Sequence, residues 1–289
     1  MPTPTKVPPR PIALLPNALT LANAGLGLLA ISKAVAALAR GADQQLFEHH
    51  LETACWLIFI AGFLDAIDGT VARVTGAFSD LGAQLDSLAD AVTFGIAPAI
   101  VAKVLLEHEG LSHPRIHFIA AAAFALMAIL RLARFNAEGD DDHLSFRGLP
   151  TPAAAGTLVA TILMFLSLGG GIETDTGGPT PLGRGLEILP IGWRDALTDY
   201  LLLPTILLLL PTLGLLMVSR VGYPHLSSWL GKVQSRRVLV PMVFGALGLY
   251  LAPVLVLFLI GPCYVGWGLW QSWRGDRGGT GETGGREAA

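Results

Sequence analysis

The chain is predicted to be an all-α, polytopic integral membrane protein: a bundle of about eight transmembrane helices behind a short interfacial N-terminal helix. Three observations predict it. Charged residues make up 14% of 289 and hydrophobic residues 52%, and mean hydropathy is +0.58, well outside the range of soluble globular domains. Apolar runs of roughly 20 residues, the length that crosses a bilayer core, recur along the chain. Basic residues also gather on one side of the loops between those runs. A net charge of −3 gives no electrostatic footprint for nucleic acid, so membrane lipids are the expected surroundings.

Taken in order, residues 1–10 are proline-rich and have no apolar stretch ending in a small-residue cleavage site. They are read as a flexible cytoplasmic N-terminus and not as a signal peptide. Residues 11–19 suit the interfacial helix, with Pro16-Asn17 breaking it before the membrane. Spans are expected at 17–39, 51–74, 80–106, 115–136, 150–168 and 198–219. The run 238–270 is too long for one crossing, and Pro253 divides it into the last two. A polar, glycine-rich connection, 169–199, separates the fifth span from the sixth. Residues 11–273 are taken as one transmembrane domain, and 274–289, rich in Gly, Arg, Glu and Thr, as a disordered cytoplasmic tail. Cys55 and Cys263 lie in apolar runs and are read as small apolar fillers. His49-His50 fall in an outer loop, and Asp140, Asp141, Asp142 and His143 in a solvated one.

Charge placement favours eight spans. With both termini inside, thirteen basic residues fall on the cytoplasmic side against six outside; seven spans would leave ten against nine and erase the positive-inside bias.

Asp65, Asp68, Asp86 and Asp90 stand where the second and third spans should be apolar. Ionisable groups at membrane depth cost several kcal/mol and normally mark a functional cavity. Asp65, Asp68, Gly69 and Ala72 share one helical face, as do Gly82, Asp86 and Asp90. A short turn near Gly76 makes the two helices antiparallel neighbours, so the acidic faces can converge at the cytoplasmic end. Their mutual repulsion calls for protons or divalent cations. All-oxygen ligands suit Mg2+ or Mn2+ and not zinc. Gly69, Ala72 and Gly82 leave room for a bulky group, and Arg73 can hold a phosphate.

The pattern D-x2-D-G-x2-A-R-x8-G-x3-D-x3-D, from Asp65 to Asp90, resembles the signature of the CDP-alcohol phosphotransferases without departure. The resemblance implies a membrane enzyme that transfers a phosphatidyl group from a CDP-linked lipid to an alcohol and releases CMP. It implies that Asp65, Asp68, Asp86 and Asp90 hold two divalent ions and that Asp90 is the general base. Asp68, Gly69, Ala72, Arg73 and Gly82 would contact the CDP moiety, and a homodimer is the implied assembly.

The segments 15–23, 131–136 and 146–155 further resemble the bacterial and archaeal phosphatidylserine synthases of that family. The expected substrates are then CDP-diacylglycerol and L-serine, in a bacterial or archaeal plasma membrane with the site facing the cytoplasm. Arg131, Arg134 and Asn136, level with the aspartates, are candidates for holding serine or a lipid phosphate. Pro150 and Pro152 are read as opening the fifth span. The alternatives are a sister enzyme taking glycerol phosphate, inositol phosphate or choline and, more remotely, an ion-coupled transporter, which would not explain the glycines, Ala72 and Arg73 at their fixed offsets.

Overall fold

A computed structural model describes residues 14–75, 80–138, 148–169, 191–219, 221, 223 and 247–278. Its elements are α1 (Leu14–Ala39), α2 (Gln44–Thr75), α3 (Asp80–Asp90), α4 (Ala97–Glu109), α5 (Pro114–Glu138), α6 (Thr151–Gly169), α7 (Ile191–Leu197), α8 (Leu203–Val218) and α9 (Pro253–Gly278). A π-helical stretch, Ala91–Ile96, joins α3 to α4 without a break, and a second, Thr198–Leu202, joins α7 to α8. Among the described residues there are seven helical runs long and apolar enough to cross a membrane. The chain is therefore a polytopic all-α membrane protein. Most of the expected seventh span of eight, ending at Pro253, lies outside the described residues. Its last turn, 247–251, is helical and breaks at Ala252 before Pro253 starts α9.

α1 and α2 form an antiparallel hairpin whose buried seams can be read residue by residue. In α1 the seam is Thr20, Asn23, Gly27, Ala30, Ala34 and Ala37, spaced by threes and fours and buried throughout. Leu21, Leu28 and Val35, seven residues apart, are more than half exposed on the lipid side. Small seam residues let the backbones approach, which is how membrane helices gain packing without a hydrophobic drive between them. In α2 the seam is Phe47, Leu51, Ala54, Ile58 and Ala61, and the same spacing carries it on to Asp65 and Asp68. The acidic pair thus continues a packing stripe.

Two sequence expectations are corrected here. Pro16-Asn17 makes no break, because residues 14–16 are the first turn of α1 itself. A proline there gives up no hydrogen bond, since first-turn N–H groups have no intrahelical acceptor. α2 begins seven residues before the expected 51 because Asp43 Oδ1 accepts from Leu46 N at 3.2 Å, an N-cap. His49 and His50 therefore lie on that helix and not in a loop. Phe47 stacks on His108 at 3.7 Å, and Gln44 bridges His108 and Glu48 at 2.9 and 2.6 Å. These contacts close the end of the bundle remote from the aspartates.

α6 is the most enclosed span, with 78% of its apolar window buried against 17% for α9. It packs on α2, α8 and α9, and α5 lies along α8. The expected connection 169–199 is helical from Ile191, where Leu197 packs against the core.

Candidate active site

Three of the four predicted carboxylates come together. Asp65 on α2 and Asp86 and Asp90 on α3 each offer an oxygen within 4.8 Å of the others. α1 packs on α2, on α3 and on α4, whereas α2 and α3 hardly touch one another among the described residues. The expected convergence of the two acidic faces is met at Asp65, Asp86 and Asp90. The acids converge beside α1, which packs against both of the helices that carry them. Gly69, next to Asp68, is exposed, and a Cβ built there meets nothing within 4 Å.

Asp68 stands apart from the trio. It is 7% exposed and its Oδ2 accepts from Thr20 Oγ1 at 2.5 Å, while its Oδ1 is buried without a partner. Its charge still acts on Asp65 and Asp86, so it borders the cluster. Four carboxylates in this space, with Asp68 Oδ1 and Asp90 Oδ1 both buried and unpaired, demand positive charge. The donor set is all oxygen, as hard divalent cations prefer, and the three carboxylates lie close enough together to share one.

Asp90 is the last α-helical residue before the π-helical stretch. The extra residue per turn there alters the facing of everything after it, and such bulges are frequent at functional sites. Thr93 in this stretch donates to the Asn23 carbonyl at 3.1 Å. A Cβ on Gly27 would fall 2.5 Å from Thr93 Oγ1 and 2.9 Å from its Cα, so α1 and the π-helical stretch can meet only over a glycine.

Arg131 and Asn136 both have protein partners. Arg131, half-buried on α5, donates from Nη1 to Thr151 Oγ1 at 2.9 Å; its Nε is buried and unpaired. Its charge acts on Asp90 and on Tyr264 of α9. The Asn136 amide exchanges hydrogen bonds with Ser87 at 3.0 and 3.1 Å. It ties the end of α5 to the residue after Asp86, so Asn136 is placed to fix α3. Arg134 lies exposed one turn beyond Arg131. Gly82 lies half-buried on α3, one turn before Asp86, and Ala72 and Arg73 belong to the last turns of α2. Asp140 to His143 fall outside the described residues.

Thr151 is held in place by its own turn. Gly148 has φ +95°, and a Cβ on it would lie 2.2 Å from the Met217 carbonyl oxygen. Gly148 N and Leu149 N donate to Val221 O and Leu216 O at 2.8 and 3.0 Å. The chain thus crosses the end of α8 before Thr151 starts α6 with Pro152 second, where proline is tolerated.

Thr20 and Asn23 stand out in the sequence only as part of the segment 15–23. The signal that finds them is the α1 seam, small and apolar except at the end that faces Asp65 and Asp68.

The family model for CDP-alcohol phosphatidyltransferase matches residues 13–182. The chain is similar to proteins named CDP-diacylglycerol–serine O-phosphatidyltransferase. That of Helicobacter pylori is 35% identical over 159 residues, 55% of this chain and 61% of the relative. That of Bacillus subtilis is 36% identical over 145 residues, 50% and 73%. That of Methanocaldococcus jannaschii is 33% identical over 171 residues, 58% and 62%. The match to the Helicobacter protein thus spans about three fifths of that relative's length.

Proposed function

The chain belongs to the CDP-alcohol phosphatidyltransferase family, and from that premise we propose that it transfers the phosphatidyl group of CDP-diacylglycerol to the hydroxyl of L-serine, giving phosphatidylserine and CMP. The observation that carries the proposal is the convergence of Asp65, Asp86 and Asp90 within 4.8 Å. Serine as the acceptor is supported by the activity for which the similar proteins are named.

In this reading Asp65, Asp68, Asp86 and Asp90 hold Mg2+ or Mn2+, two ions in all, with Asp68 turning from Thr20 or sharing its unpaired oxygen. Bound there, the ions would neutralise pyrophosphate charge and stabilise the departing CMP. Gly69, Ala72 and Gly82 give the CDP moiety room, and Arg73 pairs with its phosphate. The serine hydroxyl oxygen attacks the lipid-side phosphorus and its proton passes to Asp90; the bond from that phosphorus to the CMP oxygen breaks. Arg131, whose Nε is unpaired and whose charge acts on Asp90, would take the serine carboxylate, and Arg134 a lipid phosphate. The acids sit at the cytoplasmic ends of the spans, where a soluble nucleotide head can enter while acyl chains stay in the bilayer.

An acceptor panel tests this. Purified protein in detergent receives CDP-diacylglycerol, Mn2+ or Mg2+, and serine, glycerol 3-phosphate, inositol phosphate or choline in turn. The expected outcome is phosphatidylserine and CMP in equal amounts with serine, abolished by chelator and restored by added metal. Product with another acceptor and none with serine would assign the chain to a sister activity.

A further inference from the structure

Asn23 is the most demanding side chain in the hairpin seam. It is 1% exposed, and neither atom of its amide has a hydrogen-bond partner. The amide faces Asp90 yet falls short of bonding geometry, and Asp90 Oδ1 is likewise buried and unpaired. A buried amide and a buried carboxylate left unmatched each carry a desolvation penalty. Packing alone does not explain the asparagine, because Ala30, Ala34 and Ala37 fill the same seam further along α1.

The backbone of Asn23 is fixed independently of its side chain. Thr93 Oγ1 donates to its carbonyl at 3.1 Å, and Gly27 lies against the Thr93 backbone one turn on. Thr93 stands three residues after Asp90, so these contacts lock α1 to the turn that carries Asp90. The Asn23 amide and the Asp90 carboxylate are thereby held face to face by two rigid elements. Hydrogen bonds at catalytic sites are often long before ligand arrives and tighten in the complex.

We propose that Asn23 is a positioning residue for the transfer, its carboxamide N–H donating to the Asp90 carboxylate and turning the free oxygen toward the acceptor hydroxyl. The proposal rests on the reading of Asp90 as the base. A neutral amide suits the task because it orients the carboxylate and leaves its negative charge for cation and proton. Arg131, on α5, supplies a positive charge that acts on Asp90.

The test compares Asn23→Ala and the isosteric, donor-poor Asn23→Asp in the purified full chain, each in the wild-type and Asp90→Asn backgrounds. Turnover is read with saturating serine, and thermal stabilisation is read with CDP-diacylglycerol and Mn2+. The expected result is a 10- to 100-fold fall in kcat, on the order of a general-base contribution. KM for CDP-diacylglycerol and the ligand-induced thermal shift should stay within about twofold, consistent with an effect confined to the transition state. In the Asp90→Asn background the same substitutions should cost no further activity, because residues acting as one unit are not additive.

Unchanged kcat, an equal loss in both backgrounds, or a lost thermal shift would overturn the proposal. So would failure of both variants to fold, which would make Asn23 purely structural. The wild-type protein keeps this separate from the functional reading: if it makes no phosphatidylserine, the serine reading has failed, and the Asn23 comparison proceeds with whichever acceptor the panel gives.

Discussion

Asp68 and Thr20 show how one hydroxyl changes the meaning of a carboxylate. A buried acid on a membrane helix needs a donor, and Thr20 supplies it at 2.5 Å from the antiparallel helix. Thr20→Val keeps the shape of the side chain and removes that donor. It should lower stability by about 1–3 kcal/mol, the penalty for an unsatisfied buried group, measurable as a lower thermal midpoint in detergent. Because Asp68 borders the metal cluster, the same variant should require more Mn2+ for half-maximal activity. A midpoint and a Mn2+ requirement both unchanged would show that Thr20 does not hold Asp68.

The element that organises the site is α1, although it carries no ionisable group of the cluster. It packs along α2 and against α3 and α4, and its seam changes from Ala to Gly to Asn to Thr as it nears the acids. Gly27 is the point of closest approach, where a side chain would collide with the Thr93 backbone. Gly27→Val should push α1 off the π-helical stretch and cost about 1–3 kcal/mol, as overpacking does. Turnover should fall with it, since Asn23 and Thr20 move as one rod. Gly25, whose Cβ would meet nothing within 4 Å, provides the control: Gly25→Ala should leave both stability and turnover near wild type. The π-helical stretch has the complementary role on the other side. It lets α3 present Asp86 and Asp90 to Asp65 while α4 turns Val101, Leu105 and Leu106 into the core.

At the scale of the whole molecule, the acids lie at one end of the bundle and the Gln44–His108 contacts at the other. The proposed orientation puts the acidic end in the cytoplasm. In a Cys55→Ser, Cys263→Ser background, cysteines introduced as Ala42→Cys and Ala137→Cys should therefore label oppositely. An impermeant maleimide applied to intact cells should reach position 42, between α1 and α2, and should reach position 137, at the end of α5, only after permeabilisation. The reverse pattern would invert the topology and remove the cytoplasmic site.

Much of this was legible in the sequence because it depends on local periodicity. Hydropathy and length fix how many residues lie in lipid, and helical spacing fixes which acids share a face, whatever the neighbours do. Fold class, the position of the described spans and the two acidic faces follow from these alone. Partners do not, because they depend on the register between helices far apart in the chain. That Asp68 bonds Thr20, that Asn136 ties down Ser87 and that Asn23 faces Asp90 arise only when α1, α3 and α5 are docked. The π-helical stretch is of the same kind. A one-residue surplus in a helix has no mark in composition, and here its accommodation follows from Thr93 and Gly27 meeting across the tertiary contact.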